Sequence, residues 1–145
     1  MIGKRAFIPF VTAGYPNLAM SERIILALAE AGAELIEVGI PFSDPVADGP
    51  VIQESSHYVL GQGYRIDDYL AMIGRIRKQS RVGLVFMTYL NPVIQYGFAR
   101  LDREGAAAGL DGILISDLIP REYARFGRLR AKEEGTGDLP LFRQL

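Results

Sequence analysis

The chain has 145 residues, of which 49% are hydrophobic and 23% charged, and its formal net charge is −1. A domain of this size buries roughly 70% of its unfolded surface, and a nearly neutral chain without blocks of like charge is not expected to bind nucleic acid or anionic membranes. There is no cysteine and one histidine, His57, which excludes disulfides and cysteine-bound zinc. No signal-peptide pattern or long apolar run is present, so a soluble, cytoplasmic protein is expected.

Apolar strands and amphipathic helices alternate along the chain. Strands are predicted at 6–12, 35–40, 82–87 and 112–116, and helices at 18–31, 51–60, 67–78, 98–108 and 121–134. Asn17 is suited to cap the first helix and Gly32 to end it, and Pro50 suits the first turn of the second. The alternation predicts parallel strands joined by crossover helices, as an open doubly wound sheet or as part of a (β/α)8 barrel.

A glutamate interrupts the second predicted strand, which otherwise carries apolar residues. Burying a carboxylate costs several kcal/mol unless it is paired or protonated, and the C-terminal ends of parallel strands are where catalytic groups collect. Glu37 is therefore a candidate proton-transfer group. The alternative is an outward-facing Glu37 paired with a lysine or arginine of a helix.

The loop after this strand is rich in proline and holds two aspartates, Asp44 and Asp48. Prolines reduce the entropy lost when such a loop becomes ordered, which suits a loop that presents a carboxylate but also fits a plain surface turn. Asp44 alone is explained by a local Asx turn. Neither aspartate is diagnostic by itself.

Polar residues also follow the third and fourth predicted strands. Tyr89 fits either an aromatic pocket or core packing, and Asn91-Pro92 fits either a contact with a partner or a turn. Asp117 is expected to cap the helix that follows it, and His57 is expected to face solvent. The sequence contains no P-loop, no dinucleotide-binding glycine motif and no metal-ligand spacing.

Three segments carry a family resemblance: FIPFVTAGYP at 7–16, IEVGIPFSDPVADGPVIQ at 36–53 and MTYLNPVIQYG at 87–97. They resemble the tryptophan synthase alpha chain, and the similarity runs in order from about residue 4 to about residue 135. The resemblance implies an incomplete (β/α)8 TIM barrel of about four βα units at 1–135, followed by a divergent C-terminal tail at 136–145. A complete barrel of this kind needs about 250 residues.

The resemblance also implies a reaction, the aldol-type cleavage of indole-3-glycerol phosphate to indole and glyceraldehyde 3-phosphate in tryptophan biosynthesis. The family's catalytic residues fall on Glu37, as the proton shuttle, and on Asp48, which stabilises positive charge at the indole nitrogen. Such a lyase needs no metal and no cofactor of its own. Four residues match positions that line the indole pocket: Phe10, Met87, Tyr89 and Leu114.

A partner is implied in the same way. Pro41, Asp44 and Asn91 match the surface that docks the beta chain, which binds pyridoxal phosphate (PLP) and receives the indole in an α2β2 heterotetramer. The phosphate site of such barrels commonly follows strands seven and eight and has no counterpart here. Pro140, without an amide donor, disfavours a fifth central strand in the tail.

These differences from the tryptophan synthase alpha chain pattern leave two alternatives to an active lyase. The chain could be a non-catalytic half-barrel that associates only with the beta chain or with itself through open barrel edges. It could also be another phosphosugar aldolase or isomerase, although none of Lys4, Lys78 and Lys132 lies at the end of a predicted strand. Weak turnover and self-association are expected of the isolated chain.

Overall fold

A computed structural model describes residues 5–119 and, for the backbone only, residues 141–143. Within these residues the strands are β1 (Phe10–Thr12), β2 (Leu35–Gly39), β3 (Gly83–Thr88), β4 (Gly112–Ile115) and β5 (Leu141–Arg143). The helices are α1 (Leu18–Glu30), α2 (Pro50–Leu60), α3 (Ile66–Arg77), α4 (Leu90–Tyr96) and α5 (Phe98–Ala108). No helix in this part of the chain is both long and apolar enough to cross a membrane.

The five strands are all parallel and follow each other in chain order across the sheet. A doubly wound sheet reverses its strand order at a switch point, whereas a barrel adds each strand beside the one before it. The consecutive order therefore decides between the two predicted closures in favour of the barrel type, in the form of an incomplete barrel.

Helix ends follow the sequence signals closely. The side chain of Asn17 accepts a hydrogen bond of 2.9 Å from the Met20 amide at the start of α1, Gly32 follows the end of that helix with φ +95°, and Gly109 ends α5 with φ +92°. Pro50 is the first residue of α2. These positions confirm the predicted caps, because each residue supplies the oxygen or backbone conformation that a helix end requires.

Two elements differ from the sequence-based expectation. Asn91 and Pro92 lie in the first turn of α4 rather than in an isolated turn, and Pro92 fits there because the first amides of a helix have no intrahelical acceptor. Residues 141–143 form a fifth strand beside β4, although Pro140 was expected to disfavour one. The predicted helix at 121–134 lies outside the described residues.

One face of the sheet is covered by α1, α3 and α5. Alternate strand residues on this face, such as Ile36, Val38 and Phe86, are at most 1% exposed and pack against Ile25 and Ile73 of the helices. Because side chains of a strand alternate between faces, the remaining strand residues belong to the opposite face, which corresponds to the inside of a barrel. The candidate site lies on this inner face.

Candidate active site

The inner face carries Glu37, which is half-buried in the middle of β2. Parallel pairing places it beside Phe10 of β1 and Val85 of β3, while its neighbours Ile36 and Val38 are fully buried under the helices. No ion pair in the part of the chain that the structure describes involves Glu37. The register therefore argues against the alternative of an outward-facing Glu37 paired with a helix cation.

Asp48 reaches the same end of the sheet from the loop between β2 and α2, referred to below as the Asp48 loop (residues 41–49). Its partly buried side chain lines a small cavity together with Phe10, Gly39 and Met87. Phe10 is the direct neighbour of Glu37 in the sheet, and Gly39 is two residues further along the same strand. Phe10 is thus a neighbour of both candidate carboxylates, although Glu37 itself does not line the cavity.

The cavity beside Asp48 has a volume of only about 10 Å³, which is room for one water molecule. The Phe10 ring lies over Gly39, since a Cβ atom added to Gly39 would come within 2.3 Å of the ring. A glycine at position 39 is what allows this close approach of the aromatic ring to the strand.

The Asp48 loop is held by three contacts, two from Tyr89 and one from Gln53. The hydroxyl of Tyr89 accepts a hydrogen bond of 3.0 Å from the Ala47 amide, and the rings of Phe42 and Tyr89 pack with their centroids 5.3 Å apart. On the helix side, the Gln53 side chain donates a 2.7 Å hydrogen bond to the Asp48 carbonyl. The loop is therefore an ordered part of the site.

Tyr89 is both buried and part of the cavity wall, with 4% of its surface exposed. The pKa of Tyr89 is raised, first by burial and also by the nearby charge and hydrogen bonding of Asp48, against an opposing effect of the Ala47 amide. The hydroxyl consequently stays protonated and can donate while it accepts from Ala47. Pocket lining and packing, the two sequence-based alternatives for Tyr89, are both observed.

The other predicted site residues are distributed unevenly around the cavity. Met87 lines it, whereas Leu114 lies in the neighbouring strand, in register with Met87 and half-buried on the same face. Pro41, although buried, borders a separate groove of about 620 Å³ together with Asn91. Asp44 is exposed and accepts a 2.9 Å hydrogen bond from the Ser43 hydroxyl. Cavity and groove share the lining residue Ile40 and otherwise have different walls.

Two minor expectations can also be compared with the structure. Asp117 accepts a 2.7 Å hydrogen bond from the Leu90 amide. It therefore caps the start of α4, a helix that comes earlier in the chain. His57 is exposed on α2, as predicted. In the described ranges, no cluster of three or more histidine, aspartate or glutamate side chains could hold a metal ion.

The residues that the sequence analysis missed are hydroxyl-bearing side chains around the cavity. Thr88, Ser56 and Ser116 line it, and the Thr12 and Ser55 hydroxyls are 2.8 Å apart. Three of these residues, Thr12, Thr88 and Ser116, end or follow a strand. A polar residue directly at the C-terminal end of successive strands is the signal that could have identified them.

Comparisons with known proteins identify relatives of this arrangement. The family model described as tryptophan synthase alpha chain matches residues 2–141. The chain is 47% identical over 122 residues to the tryptophan synthase alpha chain of Citrifermentans bemidjiense, which covers 84% of this chain and 46% of the relative. It is 41% identical over 131 residues to that of Clostridium acetobutylicum, covering 90% of this chain and 50% of the relative. The chain thus spans about half the length of the curated relatives it matches.

Solved structures lead to the same group. The alpha subunit of tryptophan synthase from Legionella pneumophila superposes with a TM-score of 0.84 at 36% identity, over 92% of this chain and 51% of that one. A chain of the Mycobacterium tuberculosis tryptophan synthase in its ligand-free form superposes with a TM-score of 0.83 at 38% identity, over 97% of this chain and 55% of that one. The sheet and its helices correspond to part of these larger proteins.

Proposed function

The chain belongs to the tryptophan synthase alpha chain family, and from this premise we propose that it acts as a lyase that cleaves indole-3-glycerol phosphate to indole and glyceraldehyde 3-phosphate. Two observations support this proposal: Glu37 lies on the inner face beside Phe10, and Asp48 lines a small cavity together with Phe10 and Met87. Carboxylates in a mostly apolar setting are suited to moving protons and balancing transient charge.

In the proposed reaction Glu37 protonates the indole carbon that bears the side chain, which places a positive charge on the ring nitrogen. Asp48 balances that charge from the loop opposite. Glu37, now a carboxylate, then takes the proton of the adjacent side-chain hydroxyl, and the carbon–carbon bond breaks to give the aldehyde and neutral indole. The proton taken up equals the proton released, so the two side chains suffice and the chain needs no cofactor; PLP belongs to the beta chain.

The apolar wall serves the same reaction. Phe10, Met87, Tyr89 and Leu114 supply aromatic and aliphatic surface against which the flat indole ring packs. Phe10 lies close over Gly39 and pairs with Glu37 in the sheet, so the proposal places the indole ring beside both.

The test is cleavage of indole-3-glycerol phosphate, followed by the release of indole. Glu37→Gln preserves shape but cannot exchange a proton, so turnover should fall by at least roughly 100-fold. Glu34→Gln is the matched control, because Glu34 is exposed just before the same strand and should leave the rate unchanged. Equal rates for wild type and Glu37→Gln would overturn the proposal.

Asp48 is tested separately with Asp48→Asn. The amide keeps the size of the side chain but not its charge, and loss of charge stabilisation of the transition state should lower kcat by at least roughly tenfold. Asp44→Asn, an exposed aspartate four residues away in the same loop, is the control. A kcat for Asp48→Asn equal to that of Asp44→Asn would remove Asp48 from the mechanism.

We further propose that a tryptophan synthase beta chain docks at Pro41, Asp44 and Asn91, as in an α2β2 assembly. The groove of about 620 Å³ bordered by Pro41 and Asn91 offers a concave surface beside the Asp48 loop, from which indole leaves the site. Asp44→Lys should weaken binding of a purified beta chain in calorimetry, while Glu30→Lys at the end of α1 should not. Unchanged affinity for Asp44→Lys would place the interface elsewhere.

A further inference from the structure

The hydroxyl of Tyr89 occupies a position that its role as an aromatic wall does not require. It accepts a hydrogen bond of 3.0 Å from the Ala47 amide, and Ala47 directly precedes Asp48 in the chain. The same ring packs on Phe42 at the start of the loop, with centroids 5.3 Å apart. Tyr89 therefore touches the Asp48 loop near both of its ends, whereas a wall residue needs only its ring face.

The backbone of Tyr89 is fixed independently of the Asp48 loop. Tyr89 directly follows β3 and is the N-cap residue of α4, and the next amide, that of Leu90, is held by Asp117 at 2.7 Å. Thr88 pairs with Ile115 in the adjoining strand. The Tyr89 side chain, which is 4% exposed and attached to this fixed backbone, has little conformational freedom. Its hydroxyl is therefore a fixed point for a loop that is itself largely exposed.

The loop needs such a point because its own contacts are weak. Within it, the Asp48 amide reaches the Pro45 carbonyl at 3.4 Å, and Val46 is 84% exposed. The Gln53 side chain, which donates to the Asp48 carbonyl, is itself exposed on α2. The Tyr89 hydroxyl thus ties the C-terminal part of the loop to the sheet, through the Ala47 amide and beside the Asp48 carboxylate.

We propose that the Tyr89 hydroxyl is a positioning group for Asp48, and that it sets the height of the Asp48 carboxylate above the indole site by anchoring the Ala47 amide. This inference rests on the proposed function for its consequence and on the loop contacts for its geometry. The phenolic ring and the hydroxyl of Tyr89 have separate tasks: the ring walls the cavity and the hydroxyl places the acid.

The first experiment measures amide hydrogen exchange in the full chain and does not depend on activity. Tyr89→Phe removes only the hydroxyl, so exchange of the Ala47 amide should accelerate about fivefold or more, as expected when one hydrogen bond is lost from a local opening. The Leu84 amide, which donates to Asp111 in the sheet, should not change. Tyr58→Phe, an exposed tyrosine of α2, is the control. Unchanged Ala47 exchange overturns the anchor.

The second experiment measures indole binding by ligand fluorescence, which is selective because the chain contains no tryptophan. Tyr89→Phe should weaken binding about fivefold in the wild-type background and have no further effect in Asp48→Asn, since the hydroxyl acts through that carboxylate. A purely structural or wall effect would be equal in both backgrounds and would overturn the positioning role. A wild-type chain that binds no indole overturns the proposed function, and the exchange experiment still decides whether the hydroxyl holds the loop.

Discussion

Single residues on the inner face are fitted closely to one another, and Gly39 shows this most clearly. An added Cβ would lie 2.3 Å from the Phe10 ring, and this ring also borders Glu37 and the cavity beside Asp48. A methyl group at position 39 must displace the aromatic ring from the site. The identity of residue 39 therefore controls both packing and access.

Gly39→Ala is expected to lower the free energy of unfolding by about 1–3 kcal/mol, the usual cost of overpacking, as measured by urea denaturation. Gly74→Ala in α3 is the matched control, because its added Cβ meets nothing closer than 4.0 Å. That change should be neutral or stabilise by up to about 1 kcal/mol, since alanine favours helix over glycine. Equal changes in the free energy of unfolding for the two substitutions would show that the Phe10 ring can move aside without destabilising the fold.

The sequence marks the two carboxylates as candidates but does not reveal the contacts around them. Glu37 is conspicuous because it interrupts an apolar strand, and Asp48 because it belongs to the resemblance. The Ala47–Tyr89 hydrogen bond joins residues 42 positions apart, and neither residue has a local signal for it. Asp117 illustrates the same difficulty: it accepts a hydrogen bond from the Leu90 amide, 27 residues earlier, and the sequence gives no local signal for this contact. The predicted helix that Asp117 was expected to cap lies outside the described residues.

At the scale of elements, α4 is the least predictable helix and is tied to its neighbours by polar contacts. The Tyr96 hydroxyl lies within hydrogen-bond distance of the carboxylates of Asp67 in α3 and Glu104 in α5, and donates its single proton to one of them at a time. Arg100 bonds both carboxylates at 2.8 and 3.0 Å and lies 4.2 Å from the centre of the Tyr96 ring. Periodicity over seven residues is too short to reveal such a helix. The cluster explains why it forms between α3 and α5.

This cluster predicts a dependence of stability on pH. Hydrogen bonds from Tyr96 and then from Arg100 hold the pKa of Glu104 below its ordinary value. A lowered carboxyl pKa contributes stability that is complete above the ordinary value, and this contribution is lost as the pH falls through the lower pKa of the folded state. The urea concentration at half-unfolding should therefore decrease as the pH is lowered from neutral to acidic. This decrease should be smaller in Tyr96→Phe than in the wild type. An identical fall in both proteins would contradict the assignment.

Most element types and helix ends were predictable because they depend on local chemistry. Asn17, Gly32 and Pro50 act within a turn of their own position, so their signals are readable in the sequence. The fifth strand was not, because its existence depends on pairing with β4, through Ile113 opposite Leu141. A three-residue strand carries too little pattern to outweigh a neighbouring proline.

At the scale of the whole molecule, the sheet has one face packed under helices and one face that is only partly covered within the described residues. Phe10, Glu37, Met87 and Leu114 are all half-buried on this second face. Parallel sheets are ordinarily covered on both sides, and uncovered apolar surface next to strand edges favours association. We predict that the chain self-associates at micromolar concentration. A single concentration-independent monomer in sedimentation velocity would contradict this prediction.

The account as a whole depends on proton transfer between Glu37 and the indole ring, and this step can be measured without carbon–carbon bond cleavage. Indole is incubated with the chain in deuterium oxide, and loss of the proton at the ring carbon that would carry the side chain is followed by NMR. The wild-type chain should accelerate this exchange well above the rate in buffer, and Glu34→Gln should match it. Glu37→Gln should return the rate to that of buffer. Exchange as fast in Glu37→Gln as in the wild type, or no acceleration by the wild type, would contradict the central claim.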